Sequence, residues 1–439
     1  MSHPAYWNTL DQIYHCQWTA HKLAHLEEVK GAIAQCWPKG HPTRFIQVAG
    51  TNGKGTVGRF LEACFSMVGI AGTVASPHLF DYRERFTIQG SYVSQRDIID
   101  AWENTVLPFC VQSVQAGHEP SYSLVYILIA LVLFEKYQVV WGIMETGLGG
   151  RYDPITALEV EAVVLTNVGN DHRHILGENL WQRVLDKSGI CRKGKPFFTA
   201  DACTENRDIM ALICDFYGAP FFSVGDQEIE AFQNMIEEMP DNKHFKVLHN
   251  LRNGALSLAV ARYLLNQENH VLDSVCACKN MDQIHFPGRF EQIEPQIYID
   301  IAHNLDKINA LVDQIRADQT LLHKKKIFIL GLSGHRDPKE VLAPLVSIAN
   351  SIIVTSTPKE GVDPEEIKRV LDALSGESIK IQVIAEPEKA LAQARKELDE
   401  DSVIIATGST FVLDQLFNPD AHIRALNRMG AWRTRNTTI

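Results

Sequence analysis

The sequence has few of the features that mark nucleic-acid-binding or membrane-surface proteins. Its 42 lysine and arginine residues are outnumbered by 53 aspartate and glutamate residues, which leaves a formal net charge of −11. Such a chain lacks the general basic surface that nucleic acids and anionic membranes attract, although a local basic pocket for phosphates remains compatible with it. We therefore expect small-molecule partners, with no nucleic acid and no membrane.

Cysteine patterns and long apolar runs are also lacking. The nine cysteines show no repeated spacing, and the close pair Cys276 and Cys278 has no second pair or histidine set for zinc. We expect reduced thiols in a cytoplasmic protein. The longest apolar run, residues 124–134, is too short to span a bilayer and predicts a buried helix. The first eighteen residues lack a basic region followed by an apolar one, so we expect no secretory signal.

The length and the pattern of apolar residues indicate more than one α/β domain. A chain of 439 residues exceeds the usual size of one core, so two or three domains are expected. Short β-branched runs alternate with amphipathic stretches, which is typical of parallel strands covered by helices. Strands are predicted at residues 45–49, 139–145, 162–167 and 196–199, and then at 297–301, 326–332, 351–355 and 402–407.

The alternation breaks at a Pro-Gly turn at residues 287–288, which favours a domain boundary there. We predict an N-terminal domain over residues 1–286, a hinge over 287–296 and a C-terminal domain over 297–439. Residues 225–246 are polar and irregular in pattern, so we expect a hairpin or loop there without functional residues.

The most informative stretch is residues 50–56, which read Gly-Thr-Asn-Gly-Lys-Gly-Thr between a predicted strand and a helix-like segment. Such a turn wraps backbone N–H groups around a phosphate, and the helix N-terminus adds favourable charge. Lys54 would neutralise the terminal phosphates, and the Thr56 hydroxyl could ligate their Mg²⁺. The alternative is a surface turn with a chance lysine. The fold prediction is an α/β protein with a P-loop parallel-sheet ATPase domain and a smaller, Rossmann-like α/β domain.

Polar residues follow several strands, at the edge where open α/β sheets bind ligands. Glu145 directly precedes a glycine-rich turn, where Mg²⁺ and phosphate oxygens can approach the backbone, although a Gly-Gly turn needs no ligand. Asp171 and His172 follow the next strand, and such a pair is more often a local hydrogen bond than a metal site. Ser76, before a proline, could offer a metal an oxygen. Asp300, at a strand end of the C-terminal domain, could meet a ribose hydroxyl.

Seven motifs occur together in order. They are GTNGKGT at 50–56, SPHL with ERF at 76–86, ETGLGGR at 145–151, DH before LG at 171–177, DKSGI at 186–190, FPGRFE at 286–291 and DIAHN at 300–304. This order and spacing resemble those of the folylpolyglutamate synthases and dihydrofolate synthases, which are Mur ligases. The resemblance covers residues 45–415. It implies an ATP-dependent ligase of folate biosynthesis, in which ATP phosphorylates a carboxylate and the amine of glutamate attacks the acyl phosphate.

The resemblance also implies roles for the matching residues. The catalytic residues would be Lys54, Lys187 and His172. The nucleotide would be bound by Gly50, Thr51, Asn52, Gly53, Lys54, Gly55, Thr56, Asn253, Arg289, Asp300 and His303. Mg²⁺, at two sites, would be held by Thr56, Ser76, Glu145, His172 and Lys187, with Lys187 carried as a carbamate. The acid substrate would meet Asp153 and Arg83. The partners would be a folate-like acid and L-glutamate, and we expect a monomer.

The sequence departs from the family where the acid substrate should bind. Relatives usually carry a Thr-Tyr-Phe-Glu-like run before the long apolar helix, and residues 121–124 here read Ser-Tyr-Ser-Leu. After GLGGR only Asp153 is retained, and residues 24–27 lack the usual Gly-Leu-x-Arg. Two enzyme interpretations follow: a folate enzyme with altered pterin contacts, or an amide synthetase that joins an amino acid to another acid. A nucleotide-binding protein without turnover and a plain P-loop NTPase are the remaining alternatives.

Overall fold

The computed structural model describes residues 3–16, 22–237, 239, 244–334, 337–358, 361–376 and 378–433. The described chain forms two compact units. The first unit contains the residues up to His78 and Tyr82–His285, and the second contains Leu79–Asp81 and the residues from Phe286 onward. The predicted domain boundaries, which did not include the excursion of residues 79–81, stay a prediction.

Eight strands of the described residues form the sheet of the first unit. They are β1 (Arg44–Ala49), β2 (Ala71–Val74), β3 (Phe86–Ile88), β4 (Ser91–Tyr92), β5 (Trp141–Glu145), β6 (Val160–Leu165), β7 (Phe197–Thr199) and β8 (Phe221–Ser223). Their spatial order is β4-β3-β2-β5-β1-β6-β7-β8, and β2, β5, β1, β6, β7 and β8 run parallel. In the register of the central strands Val48 lies opposite both Glu145 and Val164, so the carboxyl ends of β1, β5 and β6 meet at one edge.

Helices cover this sheet. They are α1 (Pro4–Tyr14), α2 (Lys22–Cys36), α3 (Lys54–Phe65), α4 (Gln95–Ala101), α5 (Leu107–Gln115), α6 (Tyr122–Lys136), α7 (Arg173–Leu176), α8 (Leu180–Ser188), α9 (Thr204–Tyr217), α10 (Asp226–Glu237), α11 (Leu248–Asn266) and α12 (Ser274–Asp282). Helix α6 is buried almost all round, which confirms the buried helix predicted from its continuous apolar run. Within the described residues, no helix is long and apolar enough to cross a membrane.

The expectation of a hairpin or loop at residues 225–246 is wrong for most of that segment. Helix α10 occupies residues 226–237, and a short 3₁₀ helix, His244–Lys246, follows. The reason is helical spacing of the few apolar residues: Ile229, Phe232 and Ile236 are buried on one face. The ring of Phe232 packs edge-on against Phe245 at 5.1 Å. Three apolar side chains at this spacing therefore suffice to hold a helix that is otherwise polar.

Six strands of the described residues form the sheet of the second unit. They are β9 (Glu291–Glu294), β10 (Ile297–Ile299), β11 (Lys325–Leu330), β12 (Ser351–Val354), β13 (Lys380–Val383) and β14 (Ser402–Thr407), in the order β13-β12-β11-β14-β10-β9. All neighbours are parallel except β9 and β10. The segment predicted as a hinge thus contributes the edge strand β9. The helices are α13 (Leu305–Ala317), α14 (Pro338–Val346), α15 (Pro364–Ser375), α16 (Pro387–Lys396), α17 (Thr410–Phe417) and α18 (Ala421–Arg433).

Residues 79–81 are built into the second unit. Leu79 is buried in the apolar cluster that lines one face of its sheet, and Phe80 packs against the same cluster. The carbonyl oxygen of Phe80 accepts hydrogen bonds from Asn418 Nδ2 at 2.9 Å and Asn427 Nδ2 at 3.1 Å. A short piece of early sequence therefore completes the core of a unit whose other residues begin at 286.

Candidate functional site

The turn between β1 and α3 has the backbone that only glycine adopts readily. Gly50 has a φ of 146° and Gly53, which precedes the first turn of α3, has a φ of 83°. A Cβ atom at Gly53 would lie 2.7 Å from Oδ1 of Asn253 on α11, so the asparagine predicted near the nucleotide does border this turn. Space and conformation together explain why residues 50 and 53 are glycines.

The residues after β6 hold this turn in place. The N–H of Thr51 donates to the carbonyl oxygen of Asn167 at 2.8 Å, and the N–H of Asn52 donates to Oδ1 of Asn167 at 3.1 Å. Thr166 Oγ1 donates to the carbonyl oxygen of Asn52 at 2.6 Å. Thr166 and Asn167 were not predicted as site residues. Their position directly after a strand that neighbours β1 is the signal that could have found them.

Two lysine ammonium groups converge on one carbonyl oxygen of the turn. Lys54 Nζ lies 3.2 Å from the carbonyl oxygen of Gly50, and Lys187 Nζ, at the end of α8, lies 3.1 Å from the same atom. Lys187 is only 4% exposed. If both amines carry a proton, their like charges repel each other, and an anion bound at the turn or the loss of one of these protons would relieve the repulsion. The structure thus brings together two of the three predicted catalytic residues around a turn suited to phosphate.

Glu145, at the end of β5, adds a carboxylate to this group. Its Oε1 lies 3.9 Å from Lys54 Nζ, and its Oε2 accepts a hydrogen bond from the backbone N–H of Ser76 at 3.2 Å. A Cβ atom at Gly55 would lie 3.2 Å from Oε2, which places the carboxylate over the first turn of α3. Glu145 is 5% exposed, so its charge is kept near Lys54 in a poorly solvated place.

The oxygen donors at this edge fit a hard cation such as Mg²⁺. Carboxylate and hydroxyl oxygens, the groups that Glu145, Ser76 and Thr56 carry, are of the kind that Mg²⁺ prefers, and the role of these three residues as metal ligands stays a prediction. Over the described residues, no three histidine, cysteine, aspartate or glutamate side chains form a group that could hold a metal. An ion here would therefore take its remaining ligands from hydroxyls, water and the phosphates, as Mg²⁺ in phosphate-transfer sites commonly does.

His172 lies on the loop after β6, directly before α7. Its backbone has a φ of 53°, and its N–H donates to Oδ1 of Asp171 at 2.9 Å. Its side chain is 39% exposed, with Nε2 at 3.9 Å from the same carboxylate oxygen. The local hydrogen bond between Asp171 and His172, which was the alternative to a metal site, is therefore present. The role of His172 as a metal ligand stays a prediction.

Asp153 organises the glycine-rich turn after β5. Its Oδ2 accepts from the N–H groups of Gly147 and Leu148, each at 3.0 Å, and its Oδ1 accepts from Ile155. Asp186 Oδ1 holds the same turn by accepting from the N–H of Gly150 at 3.0 Å. These bonds hold the turn in place, and the predicted role of Asp153 at the acid substrate stays a prediction.

The second predicted substrate residue, Arg83, is half-buried on a short 3₁₀ helix, Tyr82–Arg85. Arg85, at the end of the same turn, is nine-tenths buried and lies among tyrosine rings. Sequence reasoning did not single out Arg85, because two of the three tyrosines around it, Tyr122 and Tyr126, come from α6, which is distant in sequence.

In the second unit, Asp300 follows β10 and is fully engaged with the backbone around it. Its Oδ2 accepts from the N–H of Phe290 at 2.8 Å and its Oδ1 from the N–H of Ala302 at 2.7 Å. Burial raises the pKa of Asp300, and the positive charge of Arg289 opposes that rise. His303 Nδ1 donates to the carbonyl oxygen of Ile301, and its Nε2 accepts from Lys307 Nζ at 3.1 Å. The nucleotide roles of Arg289, Asp300 and His303 stay predictions.

Comparison with known proteins finds similar proteins of one kind. The glutamate ligase domain of the Mur ligases matches residues 288–410. The dihydrofolate synthase/folylpolyglutamate synthase of Bacillus subtilis is 25% identical over an alignment of 404 residues, and the alignment covers 86% of this chain and 91% of that protein. The protein of the same name from Escherichia coli is 27% identical over 380 residues, covering 83% and 84% of the two chains.

Solved structures show the same fold. The Mycobacterium tuberculosis folylpolyglutamate synthase complexed with ADP has a TM-score of 0.78 at 20% identity and covers 93% of this chain and 97% of that one. E. coli FolC in complex with ADP has a TM-score of 0.76 at 21% identity and covers 94% and 96%. Over most of its length the chain is thus similar to dihydrofolate synthases and folylpolyglutamate synthases, and its residues 288–410 match the glutamate ligase domain of the Mur ligases.

Proposed function

We propose that the protein is an ATP-dependent ligase that joins L-glutamate to a folate or to dihydropteroate. The observation that carries this proposal is the convergence of Lys54 and Lys187 on the Gly50 carbonyl oxygen beside Glu145, in a chain similar to these synthases. Relatives are named dihydrofolate synthase/folylpolyglutamate synthase, and one solved relative is E. coli FolC in complex with DHPP and ADP.

The reaction has two steps. A carboxylate oxygen of the acid attacks the terminal phosphorus of ATP, the bond to the ADP oxygen breaks, and an acyl phosphate forms. The amine of glutamate then attacks the acyl carbon, phosphate leaves with the bonding electrons, and the amine loses a proton to give the amide. No nucleophilic side chain is needed, so the protein acts by positioning and by electrostatics.

The residues of the turn would offset the negative charges that this chemistry brings together. Lys54 would neutralise phosphate oxygens while an anionic carboxylate approaches them. Its contacts with the turn carbonyls keep the ammonium in place before substrate arrives. Asp153 and Asp186, by accepting hydrogen bonds from the N–H groups of Leu148 and Gly150, would fix the path of this turn beside Glu145. Mg²⁺ would be held by Glu145, Ser76 and Thr56, and it would supply further neutralisation of the phosphates.

For Lys187 we propose the carbamate that the family resemblance implies. The side chain is buried, and burial favours the neutral amine, which is the form that reacts with CO₂, over the ammonium. Reaction of that neutral amine with CO₂ forms an N–C bond, breaks an N–H bond with release of its proton, and leaves an anionic carbamate. An anion beside Glu145 would suit a second Mg²⁺, as the prediction of two metal sites requires.

The carbamate has a direct test. Lys187→Ala should lose activity, and a short carboxylate such as acetate or propionate should restore part of it by occupying the space left by the side chain. Lys187→Met, which fills that space, serves as the matched control and should not be rescued. Wild-type activity of Lys187→Ala in buffer that contains bicarbonate, without any added carboxylate, would remove Lys187 from the reaction.

One observation favours a second candidate acid. Leu124, where relatives usually carry glutamate, is fully buried, and Ser121 at the N-terminus of α6 is bound by Glu28 of α2 through both its N–H and its hydroxyl. The beginning of α6 is thus built without the usual acid. An amide synthetase for a non-folate carboxylic acid is the alternative that this change supports.

The deciding experiment is ADP release by the purified protein with Mg-ATP, bicarbonate and L-glutamate. Dihydropteroate, tetrahydrofolate and no acceptor are compared, and products are identified by mass. Release that depends on a pterin, with a mass gain of one glutamate, supports the folate assignment and tells which reaction occurs. Bound ATP without pterin-dependent release refutes it and directs the search to other acids.

The same assay with Asp300→Asn, Arg289→Ala and His303→Ala tests their predicted nucleotide roles through the KM for ATP.

A further inference from the structure

A buried arginine is surrounded by tyrosines beside the predicted site. The Cζ atom of Arg85 lies 5.5 Å from the ring centre of Tyr82, 5.8 Å from that of Tyr122 and 5.7 Å from that of Tyr126. Arg85 and Tyr126 are each 8% exposed, and Tyr82 is completely buried. We call these four residues the arginine–tyrosine cluster. Its rings attract the cation through their faces, but they give no hydrogen-bond acceptor in the plane of the guanidinium.

The hydrogen-bond partner of Arg85 is a histidine. Its Nε donates to Nδ1 of His78 at 2.8 Å. A guanidinium cannot accept, so Nδ1 must carry the lone pair, and the ring proton then lies on Nε2, which is 3.2 Å from the hydroxyl of Tyr14. His78 is therefore neutral while this contact lasts. It contributes no negative charge to balance Arg85.

Among the described residues, no carboxylate forms an ion pair with Arg85. The contrast with Arg44 is informative, because Arg44 also stacks on a ring, that of Trp141, but is paired with Glu268. Buried Arg183 is satisfied by the carbonyl oxygens of Gly177 and Glu178 and by Asn170 Oδ1. A buried cation is costly without an anion or several acceptors. Arg85 stands out in the described chain as a buried guanidinium bonded through Nε alone.

The same cluster holds an unsatisfied donor. The hydroxyl of Tyr126 is buried and has no hydrogen-bond partner. Tyr126 lies on α6, where burial first and then the negative charges of Asp153 and Glu145 raise the pKa of its hydroxyl, against the positive charge of Arg85. A guanidinium that donates through Nε alone and a phenol without an acceptor thus lie next to the strand end that carries the predicted metal and phosphate residues.

We propose that Arg85 and the hydroxyl of Tyr126 bind a carboxylate of the acceptor acid. This inference rests on the proposed function and names a specificity-determining subsite for it. An incoming carboxylate would pair with the guanidinium and accept from the phenol, satisfying both groups. The positive charge of Arg85 would also offset the repulsion between the incoming carboxylate and the carboxylates of Glu145 and Asp153.

Two carboxylates are available in the acceptors. Dihydropteroate carries only the carboxylate that reacts, whereas tetrahydrofolate carries a second one that does not. Arg85→Met, which removes the charge and keeps the bulk, should raise the acceptor KM by about tenfold to a hundredfold, the range expected for a hydrogen bond to a charged group. If the reacting carboxylate is bound, both acceptors show the rise. If the second carboxylate is bound, tetrahydrofolate alone shows it.

Tyr126→Phe separates binding from folding. Removing a buried hydroxyl that has no partner should leave the melting temperature unchanged or slightly higher. In the proposed subsite the same change should raise the acceptor KM several-fold, with kcat and the KM for ATP unchanged. Arg44→Met is the matched control for Arg85→Met, since it removes a ring-stacked arginine far from the cluster and should leave the acceptor KM as in wild type. Arg85→Lys should recover part of the lost affinity.

The outcomes distinguish this inference from the proposed function. Wild-type acceptor KM values in both Arg85→Met and Tyr126→Phe, with normal pterin-dependent turnover, would overturn the subsite alone. If wild type turns over no pterin, the proposed function fails, and 4-aminobenzoate binding is then measured without nucleotide. If wild type binds 4-aminobenzoate and Arg85→Met does not, the carboxylate subsite stands. If both bind it with equal affinity, or if wild type does not bind it, the subsite is overturned.

Discussion

Lys54 is the residue on which the phosphate site depends most directly. Among the described residues, its Nζ contacts the carbonyl oxygens of Gly50 and Thr51 and the carboxylate of Glu145. We expect Lys54→Ala to lower ADP formation by at least about 10²–10³-fold, as removal of a charge-stabilising group does, with little change in melting temperature. Steady-state ADP release and thermal unfolding measure the two quantities.

The control for this change is Lys195→Ala. Lys195 is a half-exposed lysine paired with Glu161 at 3.0 Å, and surface pairs of this kind contribute little to stability. That variant should behave as wild type in both assays. Full turnover of Lys54→Ala would refute the assignment of residues 50–56 to phosphate binding.

At the residue scale, the sequence predicted which polar residues lie near Gly50 better than it predicted the contacts that each of them makes. Lys54, Glu145, Ser76 and Lys187 lie together because each follows a strand or ends a helix at one sheet edge. The positioning bonds of Asp153 were not foreseen, since they depend on the path of a turn. Arg85 was missed because its environment is assembled from α6 and a 3₁₀ helix that are far apart in sequence.

At the element scale, the start of α3 depends on the absence of a side chain at residue 53. Gly53→Ala would pay about 1–2 kcal/mol for a left-handed alanine, and its Cβ would in addition press against Asn253. We expect affinity for a non-hydrolysable ATP analogue to fall by at least about tenfold, because the turn must shift. Equilibrium binding and denaturant unfolding measure the loss.

Gly40→Ala isolates the conformational part of that cost. Gly40 has a φ of 86°, close to that of Gly53, and nothing lies within 4 Å of a Cβ atom built there. The variant should be destabilised by the backbone cost alone and should bind the analogue as wild type does. Equal analogue affinity of Gly53→Ala and Gly40→Ala would show that the contact with Asn253 does not matter.

The junction of α17 and α18 should make the second unit sensitive to pH. Oδ1 of Asp414 on α17 accepts from Asn418 Nδ2 at 2.7 Å and from Asn427 Nδ2 at 3.0 Å. Burial raises the pKa of Asp414 from 3.8 to about 7, against these hydrogen bonds. The folded protein therefore keeps a proton that the unfolded chain has lost, and the resulting stability is full below about pH 4 and is lost as the pH rises through about 7.

Asp414→Asn removes this titration while keeping an oxygen acceptor. The melting temperature of wild type relative to Asp414→Asn should fall between pH 5 and pH 8, with a free-energy change of at most about 4 kcal/mol. Asp401→Asn, at an exposed surface aspartate, should show no such trend. Parallel pH profiles of wild type and Asp414→Asn would contradict the assignment of the titration to this carboxyl group.

The sequence pattern located the long and apolar elements and missed the short ones. Strands β1, β5, β6 and β14 and helix α6 follow directly from continuous apolar runs. Strand β2 has four residues, one of which is Gly72, and it exists because its neighbours β5 and β3 pair with it. A side chain at Gly72 would lie 2.8 Å from Phe134, so tertiary packing rather than strand propensity selects this residue.

At the scale of the whole molecule, the second unit depends on three residues that precede it by some 200 positions. Phe80→Ala should destabilise that unit by about 1–3 kcal/mol, since the ring is half-buried against its apolar cluster. Hydrogen exchange of the intact protein should show lower protection in β10, β11 and β14, with β1 and β5 unchanged. Phe216→Ala, at a side chain that is 83% exposed, is the control. Loss of protection confined to the first unit would contradict this division of the chain.

The same excursion has a consequence for synthesis in the cell. Leu79 and Phe80 leave the ribosome long before the strands and helices that enclose them, and at typical elongation rates roughly 200 further residues take about 10–40 s. During that interval two apolar side chains have no core to enter. The nascent chain is thus exposed to misassembly and to chaperone capture at this point, and slowing of translation between residues 81 and 286 should lower the yield of folded protein.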